Sequence, residues 1–128
     1  MHAVHLVVAL AIVQFIFFAM LVARARTVYR IPAPATSGHE QFERLYRVQM
    51  NTLEQLVAFL PALLLAAQYW PPLLMAAIGA VYLVGRMLYW RSYVRDPASR
   101  AIGFGLSILP TFALLLAVVV GAVRGMVS

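Results

Sequence analysis

Apolar residues in this chain gather in four runs, each close to the length of a bilayer crossing, with short polar stretches between them. A crossing of the hydrocarbon layer takes roughly 20 mainly apolar residues in a helix, so every run predicts one transmembrane helix. The first, "HLVVALAIVQFIFFAMLVA" from His5 to Ala23, holds a single interior polar residue, Gln14. The segment "RARTVYRIPAPATSGHEQFER" then reads as a polar loop, because Pro32, Pro34 and Gly38 break a continuing helix. The second run extends from about Val48 to Tyr69 and stops at "WPP", where Pro71 and Pro72 mark a tight connection. The third runs from Leu73 to about Trp90, with a polar helical extension through Tyr93. In "RDPASR", Asp96 suits an N-cap and Pro97 the first helical position, ahead of an apolar body from Ala101 to about Val123. The expectation is a single all-α domain over 1–128, with helices at about 5–23, 42–69, 72–94 and 97–123. One moderate and two short connections make it an integral membrane four-helix bundle of up-down topology.

Composition agrees: 64% of the residues are hydrophobic and the mean hydropathy is +0.89, well above an ordinary soluble domain. Four spans leave no room for a separate soluble module. The first run is longer than a signal-peptide core and lacks a basic leader, so it reads as a retained helix. The net charge of +6 comes from ten arginines and no lysine, but no exposed basic domain presents it to nucleic acid. The arginines instead flank the apolar runs. Arg24, Arg26, Arg30, Arg44 and Arg47 border the first loop, and Arg86, Arg91, Arg95 and Arg100 border the third, against Arg124 alone on the other side. Positive residues stay inside, which places loops one and three in the cytoplasm and both termini outside. With no cysteine there is no disulfide, thiol nucleophile or thiolate metal site. His2, His5 and His39 lack ligand spacing, so no metal is expected.

Polar side chains inside the apolar runs are the candidate chemistry. Arg47, Asn51 and Glu54 stand at i, i+4 and i+7 and share a helix face. A rise of 1.5 Å per residue sets Glu54 about 10 Å deeper than Arg47. A carboxylate at that depth must face protein or a wet cavity and have a cationic partner. The third helix carries Tyr82, Arg86, Tyr89 and Tyr93 at intervals of four, three and four. Either stripe alone fits an ion pair gluing helices together or an interfacial aromatic belt. Rising together from one edge, they suit a small zwitterionic ligand. Arginine forks take its carboxylates, Glu54 takes an ammonium, and the tyrosines close over the rest. Arg100, in the first turn of the fourth helix, adds positive charge where the helix dipole already favours an anion. "GAVRG", Gly121 to Gly125, has the small-xxx-small spacing of close helix contacts.

At "FERLYRVQMNTLEQ" (Phe42 to Gln55), "VYLVGRMLYWRSYVRDPASR" (Val81 to Arg100) and the loop "PAPATSG", the chain resembles a known family. These are the membrane-associated proteins in eicosanoid and glutathione metabolism (MAPEG), which include microsomal glutathione transferases, leukotriene C synthases and bacterial relatives. The resemblance implies a bacterial-type member in the inner membrane, a homotrimer with glutathione bound between neighbouring subunits near the cytoplasmic surface. Matched residue by residue, it implies that Arg47, Asn51, Glu54, Tyr89 and Tyr93 bind glutathione, with Arg26 and Gln49 contacting the same ligand. Arg100 falls on the arginine that holds glutathione as thiolate. Gln55 stands where leukotriene C synthases carry a tyrosine, and Thr27 where they carry a second loop arginine.

The implied function is a membrane-embedded glutathione transferase or peroxidase. It acts on hydrophobic electrophiles drawn from the bilayer, with glutathione as co-substrate and no metal. Two alternatives compete: a non-catalytic lipid- or partner-binding scaffold on the same fold, and a small proton-coupled multidrug exporter. The exporter needs a midmembrane carboxylate in the first helix, which has none.

Overall fold

The computed structural model describes all 128 residues. The chain is all-helical: α1 (His2–Tyr29), α2 (Glu40–Tyr69), α3 (Pro72–Arg95) and α4 (Ala101–Val127), with a 3-10 turn at Pro97–Ser99 before α4. All four helices are long and apolar enough to cross a membrane. Helix α1 lies against α2 and α3, and α4 lies against the same two. The main core joins Val4, Val7 and Ala11 of α1 to Phe59, Ala62, Leu63 and Ala66 of α2, with Met75, Ala76 and Tyr82 of α3 and Leu114 of α4. Leu6, Val57, Leu73, Ile102 and Leu116 point outward among many other large apolar side chains. Such a continuous apolar exterior needs lipid or protein against it.

The first connection is shorter than the polar segment between the apolar runs. Helix α1 continues past Ala23 to Tyr29 because nothing before Arg30 breaks it: charged residues leave the bilayer but keep their helical bonds. Arg30 then takes a left-handed conformation (φ 56), the Ile31 N–H turns back to the Arg26 carbonyl at 2.9 Å, and Pro32 has no N–H to offer. Helix α2 starts at Glu40, where His39 Nδ1 accepts from the Gln41 N–H at 3.1 Å and Glu43 accepts from the Gly38 N–H at 3.0 Å. The His39 ring stacks on Tyr29 at 3.7 Å, holding the two ends of the loop together.

At the other connection Asp96 is a cap, as its sequence context predicts, but of the 3-10 turn. Its carboxylate accepts from the Ala98 N–H at 3.1 Å. The Ser99 hydroxyl donates to the Asp96 carbonyl at 2.7 Å, a local bond that competes with helical pairing, and the α-helix proper begins at Ala101.

Two glycines set how closely α3 and α4 meet. A Cβ on Gly85 would stand 2.5 Å from the Leu106 carbonyl carbon and 2.7 Å from its oxygen. A Cβ on Gly103 would stand 2.5 Å from the Tyr89 Cα. Backbone touches backbone at both points, which only glycine permits. Pro110, inside α4, has no N–H to give to the Leu106 carbonyl. The "GAVRG" pair divides: a Cβ on Gly121 would meet the Tyr69 side chain at 2.5 Å, whereas Gly125 faces open space.

Candidate functional site

The α3–α4 contact carries polar groups into the bundle. Arg86 is completely buried. Its Nη1 donates to Asn51 Oδ1 at 2.8 Å and to Thr52 Oγ1 at 3.1 Å, and its Nε donates to Ser107 Oγ at 2.8 Å. Ser107 and Thr52 are held in turn by bonds to their own helices, Ser107 to the Gly103 carbonyl and Thr52 to the Val48 carbonyl, both at 2.7 Å. The guanidinium lies over the Tyr89 ring at 4.3 Å, and that ring stacks on Tyr93 at 5.4 Å. Arg86 is therefore an interior hub joining α2, α3 and α4. It does not belong with the loop-edge arginines that set topology. Tyr82 is interior as well, stacked on Phe59 at 3.9 Å rather than standing in an aromatic belt.

Arg47 and Glu54 form an ion pair at 3.0 Å, and their side chains remain 49% and 59% exposed. Glu54 thus has the cation its depth requires. Asn51, which the i, i+4, i+7 spacing groups with them, is buried and turned toward Arg86. Arginine has no acceptor, so the Asn51 atom facing it must be the oxygen. Its Nδ2 makes no hydrogen bond and keeps a little accessible surface, unlike the enclosed polar atoms of Gln14, Gln55, Tyr82 and Thr111.

Arg44 ties the start of α2 to the end of α3 by donating to the Val94 carbonyl at 2.9 Å and the Arg95 carbonyl at 3.2 Å. Arg47, Asn51, Tyr89 and Tyr93 consequently sit at one end of the helices. Arg100 is at that end too, exposed at the start of α4, with Nη1 donating to the Pro97 carbonyl at 3.0 Å. Phe104, one turn on, lies 6.5 Å from the Tyr89 ring. Arg26 is engaged elsewhere, donating to the Ala35 carbonyl at 2.7 Å and lying over the Phe42 ring at 4.8 Å. Gln49 is half-buried and makes no side-chain hydrogen bond. Neither joins the Arg47–Glu54 group within one chain. Thr52 and Ser107 escaped sequence reading because a lone hydroxyl in an apolar helix has no pattern. Their positions set them apart only once Arg86 is placed: Thr52 adjoins Asn51, and Ser107 lies one turn from Gly103, which meets the Tyr89 backbone.

The largest groove, about 580 Å³, lies away from this cluster. It runs between α1 and α3 and is lined by Leu10, Val13, Phe17, Leu83, Met87 and Leu88. Gln14 sits in its wall and donates to the Leu83 carbonyl at 2.9 Å.

Fold and site together define a multi-pass integral membrane protein of four helices, with a charged and aromatic cluster at one end and a buried arginine beneath it. The chain belongs to the MAPEG family, whose model matches residues 4–120. It is 46% identical over 87% of its length to an uncharacterized protein of Synechocystis sp., covering 81% of that protein. It is 36% identical over 72% of its length to human microsomal glutathione S-transferase 2, covering 63% of it. It is 38% identical over 66% of its length to guinea-pig (Cavia porcellus) leukotriene C4 synthase, covering 56% of it. The chain thus spans less than two thirds of these two named enzymes.

Proposed function

We propose that this protein is a membrane-embedded glutathione transferase, with glutathione peroxidase activity on lipid-soluble peroxides. The observation that carries the reading is the cluster at one end of α2 and α3: an Arg47–Glu54 ion pair at 3.0 Å, the free Nδ2 of Asn51 and the Tyr89–Tyr93 stack. These groups complement glutathione. Arg47 and Asn51 donate to its carboxylates and peptide oxygens, Glu54 takes its ammonium, and the Tyr93 hydroxyl is available for a further bond. Two homologues carry names of glutathione and leukotriene chemistry, which supports the same reading.

Arg100 acts on sulfur. Exposed at the head of α4, it adds a full charge to the helix N-terminus and stabilises thiolate over thiol. In conjugation the thiolate sulfur bonds to an electrophilic carbon and the leaving group departs with its electron pair. In peroxide reduction the sulfur takes one peroxide oxygen and the other leaves as alcohol. A second glutathione then converts the sulfenic acid to disulfide and water.

The working unit is a homotrimer of up-down subunits in the bacterial inner membrane, with loops one and three cytoplasmic. What supports it is the half-exposed Glu54 beside outward Leu53 and Val57 on the same helix, a face that needs protein cover. Arg26 and Gln49, unattached to the cluster in one chain, reach the ligand from the neighbouring subunit. The test is conjugation of chlorodinitrobenzene with glutathione by the purified protein. Arg100→Ala should lose at least tenfold in rate with glutathione still bound; equal rates would overturn the role of Arg100.

A second reading, a non-catalytic lipid-binding scaffold, draws on the apolar groove between α1 and α3. It predicts stabilisation by lipid and no turnover with any electrophile.

A further inference from the structure

We infer that Arg86 is a positioning residue for the ligand site: one buried guanidinium fixes the orientation of Asn51 and the ring plane of Tyr89. The inference rests on the proposed glutathione site. The chemistry begins with direction. An asparagine amide is nearly symmetrical in shape, and left alone it can present either its oxygen or its nitrogen to a ligand. Arg86 Nη1 claims the oxygen at 2.8 Å and so leaves only the two N–H donors of Nδ2 for a ligand, the end that an anion needs. The same guanidinium plane lies 4.3 Å from the Tyr89 ring and orients it by cation–π attraction. Tyr93 in turn stacks on Tyr89 at 5.4 Å.

The arginine's own position is over-determined. Ser107 of α4 holds Nε, Thr52 of α2 shares Nη1, and both hydroxyls are anchored to backbone carbonyls. No carboxylate pairs with it, and Nη2 is buried without a partner. An unpaired buried cation is a poor way to hold helices together, since well-packed apolar residues do so at lower cost. What it supplies that methionine or leucine does not is directional donation to Asn51, which directs the free amide toward the site.

Asn51 is the only asparagine in the chain, which makes the inference directly observable. Full-length protein labelled with 15N-asparagine gives a single side-chain amide pair. In the ligand-free wild type the two amide protons should be well separated and slow to interchange, because the oxygen is anchored. In Arg86→Met the pair should shift and interchange faster. Arg86→Lys, which keeps the charge and one donor, should fall between them. Ser107→Ala, which loosens the guanidinium without touching Asn51, should move the pair in the direction of the Met variant and guards against a variant that does not fold.

Titrating glutathione into the same samples separates the two claims. Binding in the wild type should shift the Asn51 pair. Affinity should fall about tenfold in both Arg86→Met and Asn51→Ala, and the double variant should lose less than the sum of the two, because Arg86 acts in part through Asn51. Unchanged ligand-free Asn51 signals in Arg86→Met and Ser107→Ala, or additive losses in the double variant, would overturn the inference. A wild type that never responds to glutathione would instead overturn the ligand assignment, with the ligand-free spectra still deciding whether Arg86 holds Asn51.

Discussion

Gly103→Ala, compared with Gly105→Ala two residues away, isolates the contact on which the site is built. Both exchanges add one methyl to the same helix, and both gain up to about 1 kcal/mol of helix propensity. Their surroundings differ. The new Cβ at 103 would lie 2.5 Å from the Tyr89 Cα, while nothing stands within 4 Å of a Cβ at 105. Carbon atoms pack at about 3.5–4.0 Å, so α4 must withdraw from α3 by roughly 1 Å. Overpacking of this kind costs about 1–3 kcal/mol, and since the neighbour is backbone it cannot be relieved by a rotamer change. We expect Gly103→Ala to be less stable than Gly105→Ala by about 2 kcal/mol. The displacement also pulls Ser107 away from Arg86, now 2.8 Å apart, so glutathione affinity should fall with stability. The assay is reversible unfolding of purified protein in mixed micelles followed by tryptophan fluorescence, with a glutathione titration on the same preparations. Equal stability of the two alanine variants would refute the close-contact argument, whatever the activity of either.

Three further outcomes follow from the same geometry. Tyr82→Phe should be neutral or slightly stabilising in the same unfolding assay, because the hydroxyl is buried without a partner and the 3.9 Å stack on Phe59 survives; a loss above about 2 kcal/mol would mean the hydroxyl is bonded. Trp70→Phe should cost about 1 kcal/mol by removing the bond from the indole N–H to the Ala117 carbonyl at 2.8 Å, measured as a lower unfolding midpoint. Arg47→Met should leave Glu54 without its cation and weaken glutathione binding by calorimetry, while Arg91→Met, whose guanidinium lies over Trp90, should leave affinity unchanged.

Much of the fold was legible because the bilayer simplifies the code: a run of about 20 apolar residues is a helix whatever its details. The ends were harder. Arg24–Tyr29 looks like loop on hydropathy, yet the helix runs through it, since leaving the membrane changes a helix's solvent and not its hydrogen bonds. Spacing found the stripes on α2 and α3 but could not say which member faces inward. Period alone groups Asn51 with Arg47 and Glu54. Burial divides them, because the hydroxyls of Thr52 and Ser107 draw Arg86 into the bundle and Asn51 turns to meet it. Gly85 and Gly103 were equally silent: a glycine in a helix signals close approach only once its neighbour is known, and "GAVRG", which has the recognisable spacing, makes only one such contact.

Glutathione binding at the shared end of α2 and α3 can be measured by isothermal titration of glutathione into the protein in lipid nanodiscs. Saturable binding in the micromolar to millimolar range is predicted for the wild type, weakened at least tenfold in Glu54→Gln and retained in Arg124→Gln at the opposite end. No heat of binding at millimolar glutathione in folded protein, or equal affinity in Glu54→Gln, would contradict it.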